Sequence, residues 1–363
     1  MPWRGRWFVA ACFLGCTASS IGASARLGDP GADPGAGQPV GDAAADADAD
    51  ADADVDELDS AADGGGAPPD AAVEVPEPEP PLHVAVISDL NDSYGSTTYS
   101  RAVHDAVDRI VELDPDVVLC TGDMVAGQQA GLDYGAMWDG FHEAVTGPLT
   151  DAGIPLAVTP GNHDASGYPA FEGEREIYVD EWSARRPAVT FRDDSGYPLH
   201  YSFSVGPALF TSIDDTVVAP LDPDQHDWLD RELEAGADFP VKIVFGHIPI
   251  HPFTQGRETE ILDDEDLEQT LANRGVTLFL SGHHHGYFPG RHAGLRQVSM
   301  AALGSGSRRL LGVESVSQLA FAWIEIVDGA VTTLEAYAAP DFNEPIARSS
   351  LPQSVGVVAR DDR

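Results

Sequence analysis

The sequence predicts an α/β fold, and three observations carry that prediction. Apolar runs of four or five residues recur from residue 83 onward, helical patterns lie between them, and each run stops at a polar motif holding Asp, Asn or His. Short runs rich in β-branched residues read as buried strands. Strands that alternate with helices argue for an α/β core. Loops leaving the C-terminal ends of neighbouring strands converge on one edge of a sheet, where such folds place their sites.

The elements follow in order. The run 84–87 leads to Ser88-Asp89-Leu90-Asn91, and the run 117–120 to Thr121-Gly122-Asp123. The run 155–158 leads to Thr159-Pro160-Gly161-Asn162-His163-Asp164. The run 241–245 leads to Gly246-His247, and the run 276–280 to Ser281-Gly282-His283-His284-His285. Val103, Val107, Ile110 and Val111 fall on one helical face, and that helix is expected to stop before Asp114-Pro115. A second helix carries Gln225, Trp228, Leu229 and Leu233, with Asp222-Pro223 as its start signal. A late hairpin spans 319–337, with Asp328-Gly329 as its turn.

The polar motifs suit one chemistry. Asp, Asn and His together match a borderline divalent metal such as Zn, Mn or Fe. The glycines before Asp123, Asn162, His247 and His283 are expected to let the backbone turn sharply at each strand end. On an extended segment His283 and His285 point to one side and His284 away from it, as a solvent or supporting histidine. A lone Gly-Asp or Gly-His says little; five such motifs in order, each after a buried strand, say much.

Charge narrows the partners. The chain of 363 residues carries a formal net charge of −40, and its only lysine is Lys242. Such a chain repels phosphate backbones, which argues against nucleic-acid binding by charge. Residues 27–80 hold 16 Asp and Glu and no Lys or Arg. The repeat from Asp46 to Asp54 alternates Asp with Ala. This segment cannot bury enough surface to offset ordering, so residues 26–80 are expected as a disordered acidic linker. About fifty flexible residues span roughly 40 Å, and like charges stretch them further.

Arg4 and Arg6 precede a short apolar run, so residues 1–25 are expected as an export signal too short to span a membrane. Phe13-Leu14-Gly15-Cys16 resembles a lipoprotein box, which makes Cys16 a lipidation candidate and the protein a membrane-tethered one. Cleavage after Ala25, following Ala23-Ser24, is the alternative and implies a secreted protein. Cys120 lies in an apolar run and reads as a small buried hydrophobe.

The motif set resembles the calcineurin-like metallophosphoesterase superfamily, whose pattern runs D-x-H, GD, GNH(D/E), GH and GHxH. Asp114-Pro115-Asp116, Tyr201-Ser202-Phe203 and the helix through Trp228 agree with it. The resemblance implies a four-layer α-β-β-α sandwich over about residues 81–340, with 341–363 as a C-terminal extension and the late hairpin in the second sheet. It implies two metal ions, of Mn, Fe or Zn type, bridged by Asp123. Asp89, His285 and residue 91 would hold one ion; Asn162, His247 and His283 would hold the other. It places His163 beside the reacting phosphoryl group, with Asp164 orienting it. The activity it implies is hydrolysis of small-molecule phosphomonoesters or phosphodiesters.

Asn91 departs from the pattern, standing where the family has histidine. An amide oxygen is a harder and weaker ligand than imidazole. Purple acid phosphatases also lack that histidine and use a tyrosine three residues after the second-motif Asp; here that position is Ala126, so no tyrosinate-to-iron colour is expected. The first metal is therefore expected to be the more exchangeable, and the alternative function is a module that binds metal or phosphate without turnover. Tyr94 reads as a packing or substrate-stacking residue. Arg308-Arg309 reads as a phosphate contact or a solvated pair. His251 reads as a packing histidine, and His200, His226 and His292 fit no motif.

Overall fold

A computed structural model describes residues 80–362 apart from Ser305. The export signal, Cys16 and the acidic linker lie outside the described residues. In chain order the elements begin with β1 (Leu82–Ile87), α1 (Arg101–Leu113), β2 (Val117–Cys120), α2 (Tyr134–Phe141), α3 (Gly147–Asp151), β3 (Leu156–Val158) and α4 (Glu172–Ser183). Next come β4 (Thr190–Gly196), β5 (His200–Val205), β6 (Ala208–Ser212), α5 (Pro223–Ala235), β7 (Val241–Phe245), α6 (Glu265–Asn273) and β8 (Leu278–Ser281). The chain ends with β9 (Phe288–His292), β10 (Leu295–Ser299), β11 (Ala320–Val327), β12 (Ala330–Ala338), β13 (Ser354–Val355) and β14 (Val358–Arg360).

Local chemistry sets the helix ends. Ser100 caps α1 by accepting from the Val103 amide, and Asp114 ends that helix in the left-handed region, just before Pro115. Asp222 caps α5 with Pro223 at its first position. Asp264 caps α6 and also accepts from the Leu221 amide at 2.9 Å, which ties the starts of α5 and α6 together.

The strands form two sheets. The first has the order β12-β11-β1-β2-β3, the second β13-β14-β9-β10-β8-β7-β6-β5-β4. Alternation along each strand builds the layers. Ala85 and Ile87 of β1 pack beneath α1, α2 and α4, with Val107, Trp138 and Trp182. Val84 and Val86 face the other sheet, meeting Phe203, Phe210 and Phe245. Val244 and Phe279 on the far face of that second sheet pack against Trp228, Leu229 and Leu267 of α5 and α6. Helices, sheet, sheet and helices stack as four layers. Each fully buried Val, Leu, Ile or Phe contributes about 1.5–3 kcal/mol relative to exposure, and β2, β3, β6, β7 and β8 are buried along their whole length.

Two expectations need correction. The five ligand-bearing strands do not share one sheet: β1, β2 and β3 belong to the first, β7 and β8 to the second. The late hairpin joins the first sheet, where β11 pairs antiparallel with β1. Strand chemistry does not encode which sheet a hairpin joins; here Phe321 is needed under the first helical layer and Ile324 between the sheets. Within 341–363, β14 pairs with β9 and extends the second sheet.

Candidate metal centre

Both sheets deliver their C-terminal strand ends to one place. Asp89 follows β1, Asp123 follows β2, Asn162 and His163 follow β3, His247 follows β7, and His283 and His285 follow β8. The sheets are stitched there by hydrogen bonds. His283 donates its amide to Asp89 Oδ1 at 3.1 Å, and His247 Nδ1 donates to the Thr121 carbonyl at 2.8 Å.

Backbone strain marks the same residues. Asp89, Asp123, His283 and His285 all have φ between 49° and 62°. Non-glycine residues rarely occupy this region, and they cluster at functional sites when they do. The segment 283–285 is thus a turn and not the extended stretch expected. Among the four motif glycines, Gly122 alone has a positive φ. The other three are needed for their small size: a Cβ on Gly246 would lie 2.4 Å from Asp215 Oδ2, and one on Gly282 would lie 2.4 Å from Ser88 Oγ.

Ligand-type atoms converge. One atom each from Asp89, Asp123 and His247 lies within 4.8 Å of the others, and all three residues are buried. His247 Nε2 is 3.0 Å from Asn162 Oδ1 and 3.4 Å from Asp123 Oδ1. His285 Nε2 is 3.1 Å from Asp89 Oδ1, while its Nδ1 donates to the Gly306 carbonyl at 3.0 Å. For both histidines the carbonyl fixes the proton on Nδ1, so in the neutral ring the Nε2 lone pair faces oxygen acceptors. Lone pair against lone pair is unfavourable, so each contact calls for a positive charge: a metal ion, or a proton on the ring. At His285 burial opposes that proton, but Asp89 favours it and raises the pKa. His283 Nε2 is buried with no hydrogen bond, although Glu260 Oε2 is 3.3 Å away. The donor set therefore fits metal ions of the borderline kind.

The supporting bonds are dense. Thr121 donates to Ser88 Oγ at 2.6 Å, and Ser88 donates to Asp89 Oδ2 at 2.5 Å. Burial opposes ionisation of Asp89, but His285, His247 and Ser88 hold its pKa at about 2. Gln128 accepts from Asn162 Nδ2 at 3.1 Å, which turns the Asn162 oxygen toward His247. Asn91 donates Nδ2 to the Val125 carbonyl at 3.1 Å, and its oxygen is the atom suited to a metal.

His163 sits at the rim. Its amide donates to Asp123 Oδ1 at 2.9 Å, and its Nδ1 donates to the Gly127 carbonyl at 3.1 Å. Gly127, and not Asp164, therefore orients the ring. Asp164 is fully buried and accepts from the amides of Met124, Val125 and Gly161 at 2.8–2.9 Å, which locks the loops after β2 and β3 together. Burial, reinforced by Asp123, raises its pKa well above the ordinary carboxylate value. His284 is also a structural residue, and a buried one. It accepts from the Phe253 amide at Nδ1 and donates to the Glu260 carbonyl from Nε2, and burial with nearby Arg257 pushes its pKa down to about 3.

A cleft of about 250 Å³ opens onto the centre, lined by Tyr94, Gln128, His163, Tyr168, Arg257 and His283 among others. Tyr94 is 56% exposed, with its ring 5.4 Å from that of His163. Arg257 pairs with Glu260, and burial with nearby Arg308 lowers its pKa. Arg308 and Arg309 part company. Arg309 is exposed and donates to the Glu314 carbonyl, whereas Arg308 Nε is buried without a partner. Sequence reasoning missed Gln128, Arg257, Glu260 and Asp215, whose Oδ1 accepts from the His247 amide at 2.6 Å. None sits in a motif, and no local signal marks them.

The two-sheet sandwich gathers metal-ligand-type side chains from both sheets at its strand ends. Residues 82–287 match the family model for calcineurin-like phosphoesterases, and the chain belongs to that family. Serine/threonine-protein phosphatase CPPED1 of Bos taurus is 27% identical over 167 residues, or 42% of this chain and 49% of that protein. The Mus musculus protein of that name is 28% identical over 230 residues, or 56% of this chain and 65% of its own. The chain thus spans about half the length of the bovine relative. The purple acid phosphatase PPD1 from yellow lupin (Lupinus luteus) seeds has the same fold, with a TM-score of 0.56 at 16% identity, covering 71% of this chain and 52% of that one.

Proposed function

We propose that this protein is a metal-dependent phosphoesterase that hydrolyses small-molecule phosphomonoesters or phosphodiesters at a dinuclear centre. The observation that carries the reading is the buried meeting of Asp89, Asp123 and His247, with imidazole lone pairs turned toward oxygens. Asp123 would bridge the ions, of Mn, Fe or Zn type. Asp89, His285 and Asn91 would hold one, and Asn162, His247 and His283 the other. When bound, such a pair supplies Lewis-acid stabilisation of the phosphoryl group and a nucleophile drawn from water near neutral pH.

The remaining chemistry belongs to the chain. The Gly127 carbonyl holds the His163 Nδ1 proton, which leaves Nε2 to carry a proton at the leaving-group oxygen. Arg257 and Arg308 supply guanidinium charge for phosphate oxygens, which matters because phosphoryl transfer rests on positioning and charge stabilisation. Tyr94 offers an exposed ring against which the ester's organic group can lie.

The test is Asp123→Asn beside a chelator-stripped and metal-restored wild type, assayed on bis-p-nitrophenyl phosphate and the monoester. Both treatments are expected to abolish turnover, with metal restoring it in the wild type alone. Hydrolysis that survives in the Asp123 variant refutes the reading. Asn91 favours a second reading, a module that binds metal or phosphate without turnover. A folded, metal-loaded protein inert toward both esters would support it.

Export belongs to the same proposal. Among the described residues no helix is long and apolar enough to cross a membrane. The lipoprotein-like box at residues 13–16 supports attachment through a lipidated Cys16, and Cys16→Ser should release the protein from the membrane fraction. Unchanged fractionation would point to cleavage after Ala25 and secretion.

A further inference from the structure

We propose that His251, Glu268 and His292 form a second, mononuclear metal site, apart from the dinuclear centre, for Zn²⁺ or a similar borderline cation. Three elements bring these residues together. His251 stands in the loop after β7, four positions beyond His247; Glu268 lies in the first turn of α6; His292 ends β9. One ligand atom from each lies within 4.8 Å of the others.

The geometry is close to that of a coordinated ion. His251 Nε2 is 3.0 Å from Glu268 Oε1, and His292 Nδ1 is 2.9 Å from Oε1 and 3.0 Å from Oε2. The two rings are 4.6 Å apart and cross at 74°, so neither blocks the other's approach. A tetrahedral zinc with bonds of about 2.0–2.1 Å separates its ligands by roughly 3.3 Å, so an ion in place of the shared protons asks these groups to part by only a few tenths of an ångström. Two imidazoles and a carboxylate select the Zn-like cations over Mg or Ca.

The surroundings support the same reading. Glu268 is 4% exposed, and a third nitrogen, Gln297 Nε2, also donates to its Oε1. Metal-ligating carboxylates are commonly steadied in this way by an outer amide. The His292 side chain is 34% exposed, which leaves a path for the ion and room for a water as fourth ligand. An ion here would clamp α6, β9 and the loop that carries His247.

The test measures zinc per chain in the full-length protein, loaded with Zn²⁺ and desalted, beside His292→Ala and Glu268→Gln. Each variant is expected to bind one equivalent fewer than wild type. A second measurement removes the dinuclear centre with Asp123→Asn and His247→Ala, then titrates the stripped protein with Co²⁺ alone. One equivalent with the visible absorption of four-coordinate cobalt is expected, and it should vanish when His292→Ala is added. Equal zinc in wild type and His292→Ala, or a cobalt signal that survives His292→Ala, overturns the proposal and leaves a hydrogen-bonded His-Glu-His cluster. Should Glu268→Gln fail to fold, the half-exposed His292 variant still decides. Failure here leaves Asp123-dependent hydrolysis untouched.

Discussion

Gly161→Ala tests how closely the loops after β2 and β3 must approach. The new methyl group would lie 2.1 Å from the Asp123 amide nitrogen, 2.3 Å from its Oδ1 and 2.9 Å from its Cα. Ordinary contact begins at 3.4 Å, so the loops must separate by about 1 Å. Two of the three nearest atoms are backbone, so no rotamer change relieves the clash. The same motion stretches the 2.9 Å bond from the His163 amide to Asp123 and the bonds of 2.8 and 2.9 Å from the Met124 and Val125 amides to Asp164. Overpacking of this kind costs about 1–3 kcal/mol, or roughly 2–10 °C in Tm for a domain of this size. A displacement of about 1 Å in catalytic geometry costs on the order of 100-fold in rate. The assay is kcat on an aryl phosphate with metal content and Tm measured on the same samples. Gly173→Ala is the control, because Gly173 lies in α4 with nothing within 4 Å of a new Cβ. It should keep wild-type rate and melt no lower. A Gly161→Ala enzyme with wild-type kcat and full metal content would refute the close-approach argument.

Other outcomes follow from named contacts. Asn91→His restores the family's imidazole and should tighten the more exchangeable metal, by a factor no smaller than the roughly 10–100-fold that outer partners alone command; chelator competition measures it, and unchanged affinity would show that position 91 does not ligate. Arg257→Ala should lower kcat/KM for phosphoesters by roughly 10–100-fold, the worth of a hydrogen bond to a charged group, with metal content unchanged. Burial lowers the pKa of His200 beside Trp228. The fold therefore prefers the neutral ring, so this contribution to stability is complete above the unfolded pKa of about 6.5 and is lost as pH falls through the lower folded value. His200→Gln should flatten the rise in Tm through that acidic window, and an unaltered profile would remove His200 from the account.

The sequence was most legible where a residue's role depends on its own neighbours. Buried strands need apolar runs, and β2 and β7 fall on the predicted stretches residue for residue. Helix ends follow caps and prolines, as Asp114 and Asp222 show. Roles set by distant chain were not legible. Which sheet receives the late hairpin depends on β1, more than 230 positions away by its pairing with β11. Adjacency places Asp164 beside His163, but three amides from the loops after β2 and β3 claim its carboxylate. Strand alternation turns His284 outward, but left-handed backbone at His283 and His285 buries it instead. Arg257 and Glu260 reach the centre on a loop whose composition gives no hint of its destination.

The division of ligands between two sheets bears on how the protein matures. Asp89 and His283 touch across 194 positions of chain, so the first sheet alone brings together only the carboxylate and amide donors, and the imidazoles join them once the second sheet has docked. A complete ligand set for either proposed ion needs both sheets, so metal bound there would stabilise the docked state over a half-assembled one. On the proposed function, loading would act as a proofreading step: chains that fail to close would lack the full ligand set and the reactivity the ions confer.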